Sequence, residues 1–177
     1  MMQYLVGKDD VLRVEAEALL AGIVLDTKGF IVNPGSGTFD AAAFLRRSGA
    51  DAGAVKHLLR TDIETATEKY ALMGSAAMYR DGVVLASNNE IRSRVGIAQA
   101  ADELLNINGV KASFVAALDE DGVLISGRSI KGFNVQVILE KLGGGGSQST
   151  AGVQIRGASV NQVMQDLQKA IDGYFGN

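Results

Sequence analysis

The segment Ala77-Met78-Tyr79-Arg80-Asp81-Gly82-Val83-Val84-Leu85-Ala86 decides the fold. Two short apolar runs flank Asp81-Gly82. That pair suits a tight hairpin turn, because glycine reaches positive φ without a Cβ clash. Before this segment the chain reads as helix and loop. After it, strands alternate with helices.

Working upstream, Val11, Leu12, Val14, Ala18, Leu19, Gly22 and Ile23 recur at helical spacing. They predict a helix from about Asp10 to Leu25, with Asp9-Asp10 as its cap. Met1 to Gly7 reads as the tail of an earlier helix. Thr38 is expected to cap a short helix from Phe39 to Arg47, stopped at Ser48-Gly49. Asp51 caps a helix from Ala52 to Leu59, and a further helix runs from about Asp62 to Ser75.

Downstream, a helix is expected from Arg94 to Leu105. A strand follows from Val110 to Leu118, then a turn at 119–122 and a return strand from Val123 to Ser126. A helix from Asn134 to Leu142 leads into Gly143-Gly144-Gly145-Gly146. A strand at 153–156 and an amphipathic helix from Val160 to Tyr174 close the pattern. The order predicts an α+β (α/β-like) chain: a helical first part, then a mixed sheet flanked by helices. The boundary falls between about residues 60 and 75.

Composition narrows the function classes. The 177 residues carry a formal net charge of -3, which argues against a long nucleic acid as partner. With no cysteine, disulfide and thiolate chemistry are excluded, and a reducing, cytoplasmic setting fits. The longest apolar run, Ala18 to Leu25, is too short to span a bilayer, so no membrane contact by this chain is expected. The single histidine, His57, lies in a polar-faced helix and reads as a surface or packing residue rather than a ligand. One histidine and no dense aspartate motif cannot build a complete two-metal hydrolytic site.

The glycine run carries the strongest chemical signal. Gly143, Gly144, Gly145 and Gly146 lack Cβ atoms and precede Ser147-Gln148-Ser149-Thr150. Such a stretch can turn amide N–H groups toward one anion, and a helix starting after it would add its N-terminus. The competing reading is a flexible linker, but the tract is short and sits between a helix and a strand. Ser126-Gly127-Arg128-Ser129 with Asn134 forms a second cluster. Arg128 offers a bidentate fork for phosphate, against the plainer reading of a surface arginine on a loop. Asp26, after a buried apolar run, can ligate a hard cation or simply bond Thr27 or a backbone N–H at a helix end. Composition favours the local role.

These residues are familiar in combination. The stretches 18–28 and 35–42 resemble the end of the DHH phosphoesterase domain. The stretches 98–102, 126–129, 134–138 and the tetraglycine resemble the DHH-associated C-terminal domain. The chain is most similar to the bacterial membrane-anchored cyclic-di-AMP phosphodiesterases. The resemblance implies three parts: residues 1–60 as a C-terminal remnant of the DHH domain, 61–75 as a connecting helix, and 76–177 as the nucleotide-binding domain. It further implies two manganese ions in the intact parent, with Asp26 as one ligand and the remaining ligands upstream. It assigns Arg128, Ser129, Asn134, Gly143 to Gly146 and Ser147 to a nucleotide or dinucleotide phosphate. The upstream DHH domain becomes a partner, the chain lies in the cytosol beside a membrane-anchored parent, and a homodimer is compatible. Two departures remove phosphate-directed cations, which implies a different substrate, a weak affinity or an altered site. Ser147 stands where the family has histidine, and Asn33 and Gly37 stand where it tends to carry arginines.

The resemblance implies that the chain is the substrate-binding portion of a phosphodiesterase for cyclic-di-AMP or related short nucleotides, inactive alone. A related DHH enzyme acting on oligonucleotides, phosphoadenosine phosphate or polyphosphate is the alternative within enzymes. A non-catalytic dinucleotide-binding module is the alternative of another class.

Overall fold

A computed structural model describes residues 7 and 10–176. The stretch read as the tail of an earlier helix lies almost wholly outside them. The chain divides into two compact units, Met1–Thr61 and Asp62–Asn177.

The first unit holds α1 (Arg13–Asp26), α2 (Ser36–Arg47) and α3 (Ala52–Leu58). Ala16, Leu20, Ala21, Phe44, Leu45 and Val55 form its small core. Two caps differ from expectation. Leu12, not an aspartate, is the N-cap residue of α1, and its N–H donates to Glu15. Asp10 instead accepts from the N–H of Gly7. Thr38 lies inside α2, which begins at Ser36 behind Gly35. Gly35 is the extended N-cap residue, with φ -79° and ψ 167°, and the helix starts two residues before Thr38 with no side-chain cap. The Asp51 cap is as read: its carboxylate accepts from the N–H of Ala54 at 2.9 Å.

The second unit begins with α4 (Ile63–Gly74), capped by Asp62. It continues with β1 (Ala77–Arg80), β2 (Val83–Ile91), α5 (Arg94–Leu104), β3 (Ala112–Asp119) and β4 (Gly122–Ser129). Then come α6 (Val135–Glu140), β5 (Gly145–Gly146), β6 (Thr150–Ile155) and α7 (Val160–Tyr174). The six strands form one mixed sheet in the order β1-β2-β3-β4-β6-β5. Only β2 and β3 run parallel, joined through the α5 crossover, and every other pair is antiparallel. The fold is α+β, as expected.

Two apolar layers flank this sheet. Phe114, Ala116, Val123 and Ile125 pack with Val135, Ile138, Leu139, Leu167 and Ile171 of α6 and α7. Val115, Ala117, Val84 and Ala86 pack with Leu72 of α4 and with Ile97, Ala101 and Leu104 of α5. Strand β3 is buried on both faces, which explains its near-continuous apolar sequence. Full burial of Phe114 or Ile125 contributes about 2–3 kcal/mol each.

Strand β2 runs five residues past Ala86, where the sequence turns polar. Its pairing with β3 continues through Ser87 and Asn88 and resumes at Ile91 beyond a register shift. The ladder holds this exposed half in place, so no apolar alternation was needed to make it a strand. The other departure follows the tetraglycine. No helix starts there: Gly145–Gly146 pairs with Gly152 and Ala151 as a short edge strand.

Candidate functional site

The end of β4 gathers most of the residues assigned to phosphate. Arg128 lies in register with Thr150 of β6, and the Ser129 N–H donates to the Ser149 carbonyl at 2.9 Å. Pairing thus carries the serine-rich turn to the arginine, although about twenty residues separate them in sequence.

Successive residues of β4 point to opposite faces. A Cβ built on Gly127 would meet Leu139 and Phe114, on the α6 and α7 side. Arg128 therefore turns to the α5 side. Its Nε lies 3.2 Å from Asp102 Oδ1, and its side chain is 12% exposed. Its Nη1 donates to Ser126 Oγ at 2.8 Å and to the Gly127 carbonyl at 3.0 Å. These contacts use Nε and Nη1 and leave Nη2 unneeded. A guanidinium carries five N–H donors in a fixed fork, so the remainder can meet an anion without breaking the anchor.

Ser129 and Asn134 act on the loop rather than face solvent. Buried Ser129 places its Oγ 3.0 Å from the Phe133 carbonyl and 3.1 Å from that of Gln148. Asn134 caps α6, accepting from the N–H groups of Gln136 and Val137. Its own N–H donates to Tyr174 Oη at 3.2 Å. Tyr174 was not singled out from sequence, because its aromatic ring serves the core and only its hydroxyl serves the site.

The four glycines separate by physical role. Gly143 has φ 84° and ends α6 in the left-handed region. Its N–H donates to Glu140, and that of Gly144 to Leu139 at 2.9 Å. A Cβ on Gly144 would lie 2.5 Å from the Gly152 carbonyl oxygen and 2.6 Å from Val153 Cβ. A Cβ on Gly146 would lie 2.3 Å from the Thr150 carbonyl oxygen. Gly145 has open space around its Cβ position and no positive φ.

Ser147 and Thr150 close the following turn, with the Ser147 N–H donating to the Thr150 carbonyl at 2.6 Å. The Ser147 hydroxyl also points back to that carbonyl, at 3.3 Å. The amides of Gly143, Gly144 and Ser147 are thus bonded within the chain instead of converging on one point. The cause is local: carbonyls at the end of α6 and at the turn need donors, and these amides are nearest.

Asp26 belongs to the first unit, as the last residue of α1, and is exposed. It does not bond Thr27. The Thr27 hydroxyl donates to the Ile23 carbonyl at 2.7 Å and accepts from the Phe30 N–H. Lys28, Phe30 and Asn33 all take positive φ in the loop that follows. Among the described residues no cluster of three or more His, Asp or Glu side chains could hold a metal. One exposed carboxylate cannot hold two ions, so these residues do not make a metal centre by themselves. His57 is exposed on α3.

A cleft of about 390 Å³ lies at the other end of β4, lined by Glu68, Arg92, Ser93, Arg94, Asp119 and Asp121 among others. Sequence reading passed over it. Most of its charges are paired, although the buried Arg92 Nε has no hydrogen-bond partner among the described residues. Arg94 Nη2 lies 3.0 Å from Asp119, 3.3 Å from Asp121 and 2.7 Å from Gln154 Oε1. The Gln154 amide donates to both Asp119 oxygens, at 2.8 and 3.0 Å. Arg92 pairs with Glu90.

A model of the DHHA1 domain matches residues 81–177, more than half of the chain. The chain belongs to the DHHA1 domain family. Over 99% of its length it is 44% identical to the cyclic-di-AMP phosphodiesterase PdeA of Listeria monocytogenes. Over the same share it is 42% identical to the cyclic-di-AMP phosphodiesterase GdpP of Bacillus subtilis. It spans 27% of each of these relatives, in their C-terminal part. Among solved structures, an exopolyphosphatase-related protein from Bacteroides fragilis superposes with a TM-score of 0.86 at 18% identity. The match covers 98% of this chain and 54% of that one, and shows a shared fold. No helix among the described residues is long and apolar enough to cross a membrane.

Proposed function

We propose that this DHHA1 chain is the substrate-binding portion of a phosphodiesterase that hydrolyses cyclic-di-AMP or a related short dinucleotide. One observation carries the reading: β-sheet register sets Arg128 beside the 147–150 turn, in a chain over two-fifths identical to enzymes named for that substrate. Arg128 supplies the cation for a phosphate. Gly145 and Gly146 supply backbone that a ligand can approach closely, and Ser147 borders the same edge. Ser129 and Asn134 contribute by holding that edge in place. Gly143 and Gly144 set the path of the chain into it.

Manganese dependence belongs to the same proposal. Two ions would be held by the whole protein, with Asp26 giving one carboxylate among ligands from its upstream DHH domain. The chain alone would then bind nucleotide without hydrolysing it, on the cytosolic side of any membrane anchor.

Calorimetry with cyclic-di-AMP and with 5′-phosphoadenylyl-adenosine tests the binding. Wild type should bind at least one of them, and Arg128→Ala should weaken it about tenfold or more, the scale of a lost charge-assisted contact. Incubation with manganese and either nucleotide should give no turnover. Hydrolysis by the purified chain, or binding indifferent to Arg128→Ala, would overturn the reading.

A further inference from the structure

We infer that Asp102 is a positioning residue for nucleotide binding, acting by anchoring the guanidinium of Arg128. The inference rests on the proposed role of Arg128 and adds a residue to it.

Asp102 sits in the last turn of α5, which carries no basic residue there. A carboxylate near a helix C-terminus meets the negative end of the helix dipole and costs the helix stability. The helix therefore gives no reason for an acid at this position. The partner does: Asp102 Oδ1 lies 3.2 Å from Arg128 Nε, across from the sheet. Arginine is rich in rotamers, and a phosphate ligand must meet the entropy cost of fixing it if the side chain swings freely. Here Nε is held by α5, and Nη1 is held by Ser126 Oγ and the Gly127 carbonyl. Two rigid elements thus fix the plane of the fork before ligand arrives. Nη2 takes part in none of these contacts.

The neighbouring charges support this assignment. The arginine of α5 itself, Arg94, lies in the first turn of that helix, where Asp119, Asp121 and Gln154 meet it. Asp102 meets Arg128 at Nε, with a side chain 34% exposed. It orients the cation without burying it in acid.

The test uses the full chain and two readouts. In nuclear magnetic resonance spectra, the Arg128 Nε–H signal should be protected from solvent exchange in wild type. It should stay protected in Asp102→Asn, whose amide oxygen still accepts, and lose protection in Asp102→Ala. In calorimetry with 5′-phosphoadenylyl-adenosine, Asp102→Ala should weaken binding about tenfold and Asp102→Asn about threefold or less. In an Arg128→Ala background, Asp102→Ala should add less than a twofold loss, because its effect passes through the arginine. An unprotected Nε–H in wild type, or an undiminished Asp102→Ala loss in the Arg128→Ala background, would refute the anchoring role. A protected Nε–H with affinity unmoved by Arg128→Ala, or with no detectable binding, would sink the functional reading and leave Asp102 a packing pair.

Discussion

The two ends of β4 present opposite uses of arginine. At the Gly122 end, Arg94 meets two carboxylates and a glutamine, and Asp119 is buried at the centre of that network. At the Ser129 end, roughly 25 Å along the strand at 3.3 Å per residue, Arg128 meets one partly exposed carboxylate beside a turn of exposed hydroxyls. A charge surrounded by its opposites holds structure. A charge pinned on one edge has capacity left for a ligand. The cleft at the Gly122 end is the hollow, yet its Arg94 is already met by two carboxylates and a glutamine.

Substitutions can break this contrast, and the largest effects should fall on backbone. Gly144→Val puts a branched side chain where even a Cβ lies 2.5 Å from a carbonyl oxygen. Overpacking of this kind costs about 3 kcal/mol, measurable by urea denaturation. Next, Asp119→Ala removes one of the three partners of Arg94 and strips the acceptor from the Gln154 amide and from the Asp121 N–H. It should cost about 2 kcal/mol, the penalty for stranding donors that bond a buried charge, with no change in nucleotide affinity.

The contrast itself is sharpened by a pair. Arg128→Ala should weaken dinucleotide binding about tenfold, near 1.4 kcal/mol, while Arg94→Ala should leave it within about twofold. Equal losses from both would erase the distinction between the two ends.

A third charged cluster calibrates the structural kind. Tyr79 Oη donates to Asp172 at 3.0 Å, and Arg80 Nε meets the same carboxylate at 2.7 Å. Burial, then the hydrogen bond and the charge of Asp172, raise the Tyr79 phenol above its ordinary value near 10. Stabilisation from this pair is therefore present below that ordinary value and is lost as pH rises through the higher folded one. Thermal melts from pH 9 to 12 should show a steeper alkaline decline in wild type than in Tyr79→Phe. The smallest expected effect is Gly145→Ala. Its Cβ meets open space, so stability should move by less than about 0.5 kcal/mol. Any affinity it costs would then report a ligand lying close to that backbone.

Much of the candidate site was legible because its residues cluster in sequence. Arg128, Ser129 and Asn134 lie within seven positions, and the tetraglycine announces itself. What these groups do was less legible. The glycines read as a nest of free amides, yet Gly143 and Gly144 spend theirs on the end of α6. Ser129 read as a ligand donor and proves buried against its own loop. A hydroxyl or an amide has the same formula whether it faces a ligand or a carbonyl. Only the neighbours brought in by folding settle which.

Sequence alone determined the helices, most strand positions, the absence of thiol chemistry and the kinship of the chain. Each of these follows from residue type or from periodicity along the backbone, which are local properties. Tertiary structure decided the parallel pairing of β2 with β3, the strand after the glycines, and the meeting of Arg128 with both Asp102 and Thr150. Those depend on which distant segments share a ladder or a helix face, and the sheet makes that choice by burying both of its faces at once.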